Sequence, residues 1–335
     1  MPRLSKSLLA LPFVLPFALF GCGDDDLDPA YLGPVDAGAT QDVPTPDIEP
    51  PTPSSLVSVS CSDSTPVLGP DVTRVVRSIA TLDSRAIVAQ SAALRAIQLD
   101  SQGCPGAPIP SFGTNGSLEI EAVSAVPLPG SRTLVAKNDA TVLLDSTGQE
   151  VGSCRTNGAN LIARSLQADG EGRVAAAFAK TPIALLTVEL ASPACDAASV
   201  PLSPEPFALA AVALARGGGF VTVEQTTPAS PLVVARYGSE GVREASSTPY
   251  ANHGPSKLCS ATGLIDTPAG IFVTDTACRR VVLFDGDLLY AVAQLSFQNS
   301  PRSAALSPDG KHVLIALAQT LENGAVATFE RVRLP

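Results

Sequence analysis

One pattern recurs six times along the chain and limits what it can fold into. A turn rich in Gly, Asp, Pro or Ser leads into an apolar run, and a second apolar run ends in another turn. The first runs are DSRAIVAQ (83–90), GSRTLVAKN (130–138), GEGRVAAAFAK (170–180), GGGFVTVEQ (217–225), PAGIFVTDT (268–276) and PDGKHVLIALA (308–318). Their partners are LRAIQLDSQG (94–103), ATVLLDSTG (140–148), PIALLTVELAS (182–192), PLVVARYGSEG (231–241), RRVVLFDGD (279–287) and GAVATFERVRL (324–334). Short apolar runs bounded by Gly and Pro read as strands and not helices. Runs such as VAAAFA and HVLIALA are apolar on both faces, which suits strands buried between neighbours. Across residues 56–335 the units recur about every 45 residues, the size of a four-stranded propeller blade. The expectation is an all-β fold, a propeller of about six blades. The last unit shows strands around 302–306, 312–318 and 325–334, so its fourth strand is expected from residues 56–60. Such closure hides an edge that would otherwise pair with other chains.

Two stretches resemble known propeller repeats. Gly263-Leu264-Ile265, then Gly270-Ile271-Phe272-Val273-Thr274-Asp275-Thr276 and Arg280-Val281-Val282-Leu283-Phe284-Asp285, resemble an NHL repeat. Ser307-Pro308-Asp309-Gly310-Lys311-His312-Val313 resembles the SPDG turn of other propeller families. The resemblance implies fold more than activity. It places Asp275 and Arg280 in polar contacts at turns and strand ends. Some six-bladed propellers resembling this one are metal-dependent lactonases, with carboxylates and Asn converging on the axis. Glu119, Asn138, Asn157, Glu224, Asn252 and Asp275 lie near expected strand ends or loops, although nothing in their spacing makes them converge.

The start of the chain reads as an export signal over residues 1–21. Arg3 and Lys6 precede LLALPFVLPFALF (8–20), an apolar stretch interrupted by Pro12 and Pro16; it falls short of the roughly 20 residues that a spanning helix needs. Leu19, Gly21 and Cys22 resemble the lipobox of bacterial lipoproteins, which implies cleavage before Cys22 and lipid on its thiol. Residues 22–55 then read as a disordered acidic, Pro-rich linker: after Lys6 the next basic residue is Arg74, and such a segment buries too little surface to offset its ordering entropy. Residues 56–335 form the propeller. The reading is a lipid-anchored protein of the cell envelope. Its partners would be the membrane, through Cys22, and an envelope protein or glycan; no cofactor is implied. The formal charge of -10 opposes binding to nucleic acid.

Six cysteines follow Cys22: Cys61, Cys104, Cys154, Cys195, Cys259 and Cys278. An even number in an exported chain points to disulfides. Cys259 precedes the first strand of its blade and Cys278 follows the second, on the same face, so these two are expected to pair. The other four leave three pairings open. Their spacing tracks the blade period, and equivalent outer positions in neighbouring blades should exceed the roughly 7 Å reach of a bridge unless loops cross over. No Cys-x-x-Cys is present and the chain has only two histidines, so no metal site is expected. There is no nucleophile elbow, His-Glu-x-x-His or phosphate loop, and no catalytic residue is assigned. His253 and Asp275 are the residues placed closest to a ligand-binding face. The expected role is therefore a non-catalytic binding or scaffold module; the alternative is a lactonase-like hydrolase in the channel.

Overall fold

A computed structural model describes residues 52–59, 61, 76–156, 159–169, 172–177, 183–188, 195–288, 290–321 and 324–335. The expected export signal, Cys22, most of the expected linker and Asn157 lie outside them. Asp47–Pro335 forms one compact unit. Among the described residues regular structure is β, apart from two single-turn 3-10 segments, Thr248–Tyr250 and Gly254–Ser256. No helix among them is long and apolar enough to cross a membrane.

The strands form six antiparallel-based sheets in chain order. Blade 1 is Val76–Leu82, Arg85–Gln90, Leu94–Leu99 and Pro105–Pro108, and blade 2 is Ser124–Pro127, Thr133–Ala136, Thr141–Leu144 and Glu150–Ser153. Blade 3 is Ser165–Ala168, Arg173–Ala177, Ile183–Val188 and Cys195–Val200; blade 4 is Ala208–Leu214, Phe220–Gln225, Val233–Tyr237 and Arg243–Ser246. Blade 5 is Ala261–Thr267, Gly270–Asp275, Arg280–Phe284 and Ala291–Ser296; blade 6 begins with Ser300–Leu306, His312–Leu321 and Gly324–Arg333. The first strand of each blade touches the first strand of the next, and blade 6 returns to blade 1. The chain is a six-bladed propeller, and the six recurring apolar pairs are the second and third strands of the blades.

The core explains the two-sided strands. Buried side chains fall into six clusters, one at each junction between neighbouring blades. Successive side chains of a strand point to opposite faces. Accordingly Leu134 and Ala136 pack towards blade 3 while Val135 packs towards blade 1. Phe272 packs towards blade 6, and its neighbours Ile271 and Val273 pack towards blade 4. A second strand therefore has no solvent face, and a polar residue there needs a partner. The SPDG stretch forms the turn into the second strand of blade 6. Asp309 accepts the Lys311 N–H at 2.8 Å, and Gly310 takes the left-handed conformation at φ +66°, which glycine adopts without steric cost.

The ring is closed by the start of the described chain. Val57–Val59 pairs antiparallel with Arg331–Arg333 as the outermost strand of blade 6. Ser54 and Ser55, which the sequence reading leaves in the linker, pair in parallel with Ala293 and Gln294 of blade 5. Between them Leu56 is buried, and its N–H reaches the Gln294 carbonyl at 3.0 Å. One short segment thus clasps two blades.

The six cysteines form three disulfides. Cys259–Cys278 lies within blade 5. Cys61–Cys104 joins the closing segment to the outer edge of blade 1, with Cα atoms 5.7 Å apart. Cys154–Cys195 joins blades 2 and 3 with Cα atoms 4.7 Å apart. Cys154 and Cys195, expected from their spacing to sit beyond reach, come together for a topological reason. After the last strand of blade 2 the chain crosses over, and Arg155 pairs in parallel with Asp196 of blade 3's outermost strand. The crossing brings Cys154 to Cys195.

Candidate functional site in the axial channel

The innermost strands share a local device. In blades 1, 4, 5 and 6 the pairing of first with second strand skips one residue, between Val76 and Ser78, Leu209 and Ala211, Ala261 and Gly263, and Pro301 and Ser303. Blades 2 and 3 repeat it: the N–H groups of Val123 and Arg164 bond the carbonyls of Ala136 and Ala177, which also face Ser124 and Ser165. The extra residue is Arg77, Val123, Arg164, Ala210, Thr262 or Arg302. Bulges of this kind re-aim a side chain beside the ladder. Three of the six positions carry arginine.

The residue after each bulge is small: Ser78, Ser124, Ser165, Ala211, Gly263 and Ser303. An innermost strand is an edge, so its outward amides need acceptors. Serines of the preceding blade supply them. Ser303 Oγ accepts the Ile79 N–H at 3.1 Å, Ser78 Oγ the Ala125 N–H at 3.2 Å, and Ser124 Oγ the Leu166 N–H at 3.1 Å. Gly263 departs from serine because a Cβ there would meet Thr274 Oγ1 at 2.7 Å and the Ala304 nitrogen at 3.2 Å. Ser124→Ala leaves the buried Leu166 amide without this acceptor, at an expected cost of about 1–3 kcal/mol. Urea unfolding checks it; an unchanged midpoint would show that the relay is dispensable.

Two cavities mark the axis. At the bulge end a cavity of about 160 Å³ is lined by Arg77, Ser78, Ser124, Arg164, Ser165 and Ser303, among others, and by no acidic side chain. At the other end a cavity of about 520 Å³ is lined by Asp83, Asp169, Arg173, Arg216 and Asp266 with apolar neighbours such as Leu214 and Ile265. There Asp169 pairs with Arg173 at 2.5 Å, and Asp266 accepts the Arg216 N–H at 2.8 Å. The channel is basic at one end and mixed, with three carboxylates, at the other.

The residues considered for metal-assisted hydrolysis do not gather on this axis. Among the described ones, Glu119, Asn138, Glu224, Asn252 and Asp275 line neither cavity. Glu224 and Asp275 occupy equivalent ends of second strands, and Gln90 holds the same place in blade 1. All three are buried and each meets an arginine of its own blade. Arg95 Nε donates to Gln90 at 3.0 Å, Arg280 Nε donates to Asp275 at 3.0 Å, and Arg243 bonds Glu224. Glu224 also accepts from Thr222 at 2.6 Å and from Tyr237 at 2.9 Å. Burial, with Glu224 alongside, pushes the Tyr237 hydroxyl up to about 12. Asp275 thus fastens the hairpin of the second and third strands of blade 5, and Glu224 ties the second strand of blade 4 to its third and fourth.

His253 stands exposed where the chain enters blade 5, on the bulge face. Asp275 is on the same face but fully buried, accepting the N–H groups of Cys259 and Ser260 at 3.0 and 2.9 Å. Cys259, Asp275 and Cys278 are one group among the described residues whose ligating atoms lie within 4.8 Å of one another. Its sulfurs are joined to each other, whereas a metal would need free thiolates, so this donor set does not fit an ion. The bulge face also carries two exposed apolar side chains, Ile162 and Phe207, just ahead of the innermost strands of blades 3 and 4.

The arginine–serine neck is absent from the sequence reading, yet it leaves a signal there. Arg77-Ser78-Ile79-Ala80, Arg164-Ser165-Leu166 and Arg302-Ser303-Ala304-Ala305 repeat one short phrase ahead of three of the recurring pairs.

No protein-family model matches the chain, and no curated protein matches it. Among solved structures it is similar to the hydrazine synthase of Kuenenia stuttgartiensis, with a TM-score of 0.50 and 14% identity over 76% of this chain and 83% of that one. At that identity the likeness concerns fold alone, and it agrees with the propeller arrangement.

Proposed function

We propose that this chain is a lipid-anchored protein of the cell envelope, tethered through Cys22, whose propeller is a non-catalytic binding module. The observation that supports binding over hydrolysis is the engagement of the buried acids. Glu224 and Asp275, the two fully buried carboxylates among the described residues, are held by arginines away from the axis, and no acidic side chain lines the basic neck. The anchor is supported by the leader, Leu19-Phe20-Gly21-Cys22 and the acidic linker. The docking face is the bulge face, where Phe207 and Ile162 stand in solvent; exposed apolar groups on a rigid face are what a protein or glycan partner uses.

Two experiments test this. Labelled fatty acid should be incorporated into the full chain and lost in Cys22→Ser, which should also leave the membrane fraction; retained label or retained membrane association sinks the anchor. Pull-down from envelope extract should recover a partner with the wild type and lose it with Phe207→Asp. A melting temperature raised by calcium or zinc, together with lactone hydrolysis, would overturn the non-catalytic reading.

A further inference from the structure

We propose that the neck of the channel, at the bulge end, binds a small oxyanion through Arg77, Arg164 and Arg302 and the serine hydroxyls between them. The proposal deepens the binding reading by giving the propeller a ligand class of its own.

Four observations converge. First, the chain has 32 acidic and 22 basic residues, yet the cavity at this end is lined by two arginines and no acid. A cleft of one sign with low-dielectric walls focuses its field on the counter-ion. Second, the arginines are only lightly engaged elsewhere. Arg164 is exposed and makes no ion pair among the described residues. The Nε of Arg302, which precedes the lining Ser303, is buried with no hydrogen-bond partner. Arg77 gives one N–H to the Ala122 carbonyl at 3.2 Å and approaches the exposed Glu121 only to 3.8 Å. A guanidinium has five N–H donors in a fork that matches carboxylate or phosphate, so most of these donors remain to be used.

Third, the serine relay faces one way. Ser303, Ser78 and Ser124 accept backbone N–H groups from the next blade. A hydroxyl that accepts still has its own proton to donate, so the ring between the arginines offers O–H donors. Arginine forks and hydroxyl donors in the absence of an acceptor acid select an anion. Fourth, the cavity holds about 160 Å³, room for inorganic phosphate or a short carboxylate and not for a polymer. At the far mouth three aspartates stand among two arginines, so the arginine end is the one with an unopposed positive lining.

The purified mature chain is titrated calorimetrically with sodium phosphate, and separately with malonate, against sodium chloride at matched ionic strength. The expected result is saturable binding of at least one oxyanion that chloride does not reproduce. Arg164→Gln should weaken it at least about tenfold, or 1.4 kcal/mol, Arg164→Lys should restore part of it, and the triple exchange of Arg77, Arg164 and Arg302 to Gln should abolish it. Stronger binding of phosphate than of malonate identifies a phosphoryl ligand, and the reverse order a carboxylate. No saturable binding of either ion overturns the proposal. So does equal affinity in wild type and Arg164→Gln, which would place the ion elsewhere. Arg164 is exposed, so its variant folds and decides the matter even if the triple variant does not. The pull-down above reads Phe207 and not the neck, so one can fail while the other succeeds.

Discussion

Arg243→Ala is expected to lower the unfolding free energy by about 3–5 kcal/mol, because it leaves a buried carboxylate with no compensating charge. Glu224 has no exposed surface and Arg243 is its only cationic partner among the described residues. Replacing both by leucine should cost much less, since a buried pair exchanged for apolar packing is often close to neutral. Urea unfolding of the two variants gives the comparison. A loss under about 1 kcal/mol for Arg243→Ala would mean that water already reaches Glu224. Tyr237 adds a pH signature. Its hydroxyl stays protonated up to about pH 12 in the fold, against 10.0 ordinarily. Its contribution is therefore complete below pH 10 and is lost as pH rises from there through 12. Tyr237→Phe should flatten that alkaline decline; an unaltered slope would assign the decline to other groups.

The second large effect lies at the closure. Removing residues 54–59 strips the outermost strand from blade 6, the parallel pair from blade 5 and the buried Leu56. Leu56→Ala alone should cost about 2–5 kcal/mol. The deletion also frees Cys61 from its position opposite Cys104, and a disulfide of this kind contributes about 2–4 kcal/mol. For a domain of this size each kcal/mol is worth about 2–4 °C, so the melting temperature should fall by more than about 8 °C. It should also make the chain prone to associate through the bared edge of Gly324–Arg333. A melt within a degree or two of the parent would show that three-stranded blade 6 is self-sufficient.

The second and third strands were legible because each pair is bracketed by turn residues and is apolar on both faces, as at Leu134-Val135-Ala136. The closing strand 57–59 was legible from the missing fourth strand of the last unit. Apart from that of blade 6, expected around residues 302–306 and found at Ser300–Leu306, the innermost strands were not, because they mix polar residues with small apolar ones without a period. An edge strand lining a channel is neither fully buried nor half-solvated, so no simple alternation describes it. The pairing of Cys154 with Cys195 was hidden for another reason: it depends on a crossover of the chain, and spacing records distance along the sequence and not the route taken. Asp275 and Arg280 were visible together as strand-end polar residues, and register pairs them, whereas Glu224 was visible only as an isolated acid, because its partner Arg243 comes from the fourth strand, across the intervening third. The neck depends on six strands meeting at one axis, which no single segment reveals.

The position of Cys61 has a mechanical consequence. Any pull on the chain ahead of Ser54 is borne first by the short ladders of the clasp, which can peel. Once they have let go, the roughly eight residues up to Cys61 swing free with a reach on the order of 25 Å. The load then arrives at a covalent bond anchored in blade 1, and the unravelling stops there, with the other blades still folded.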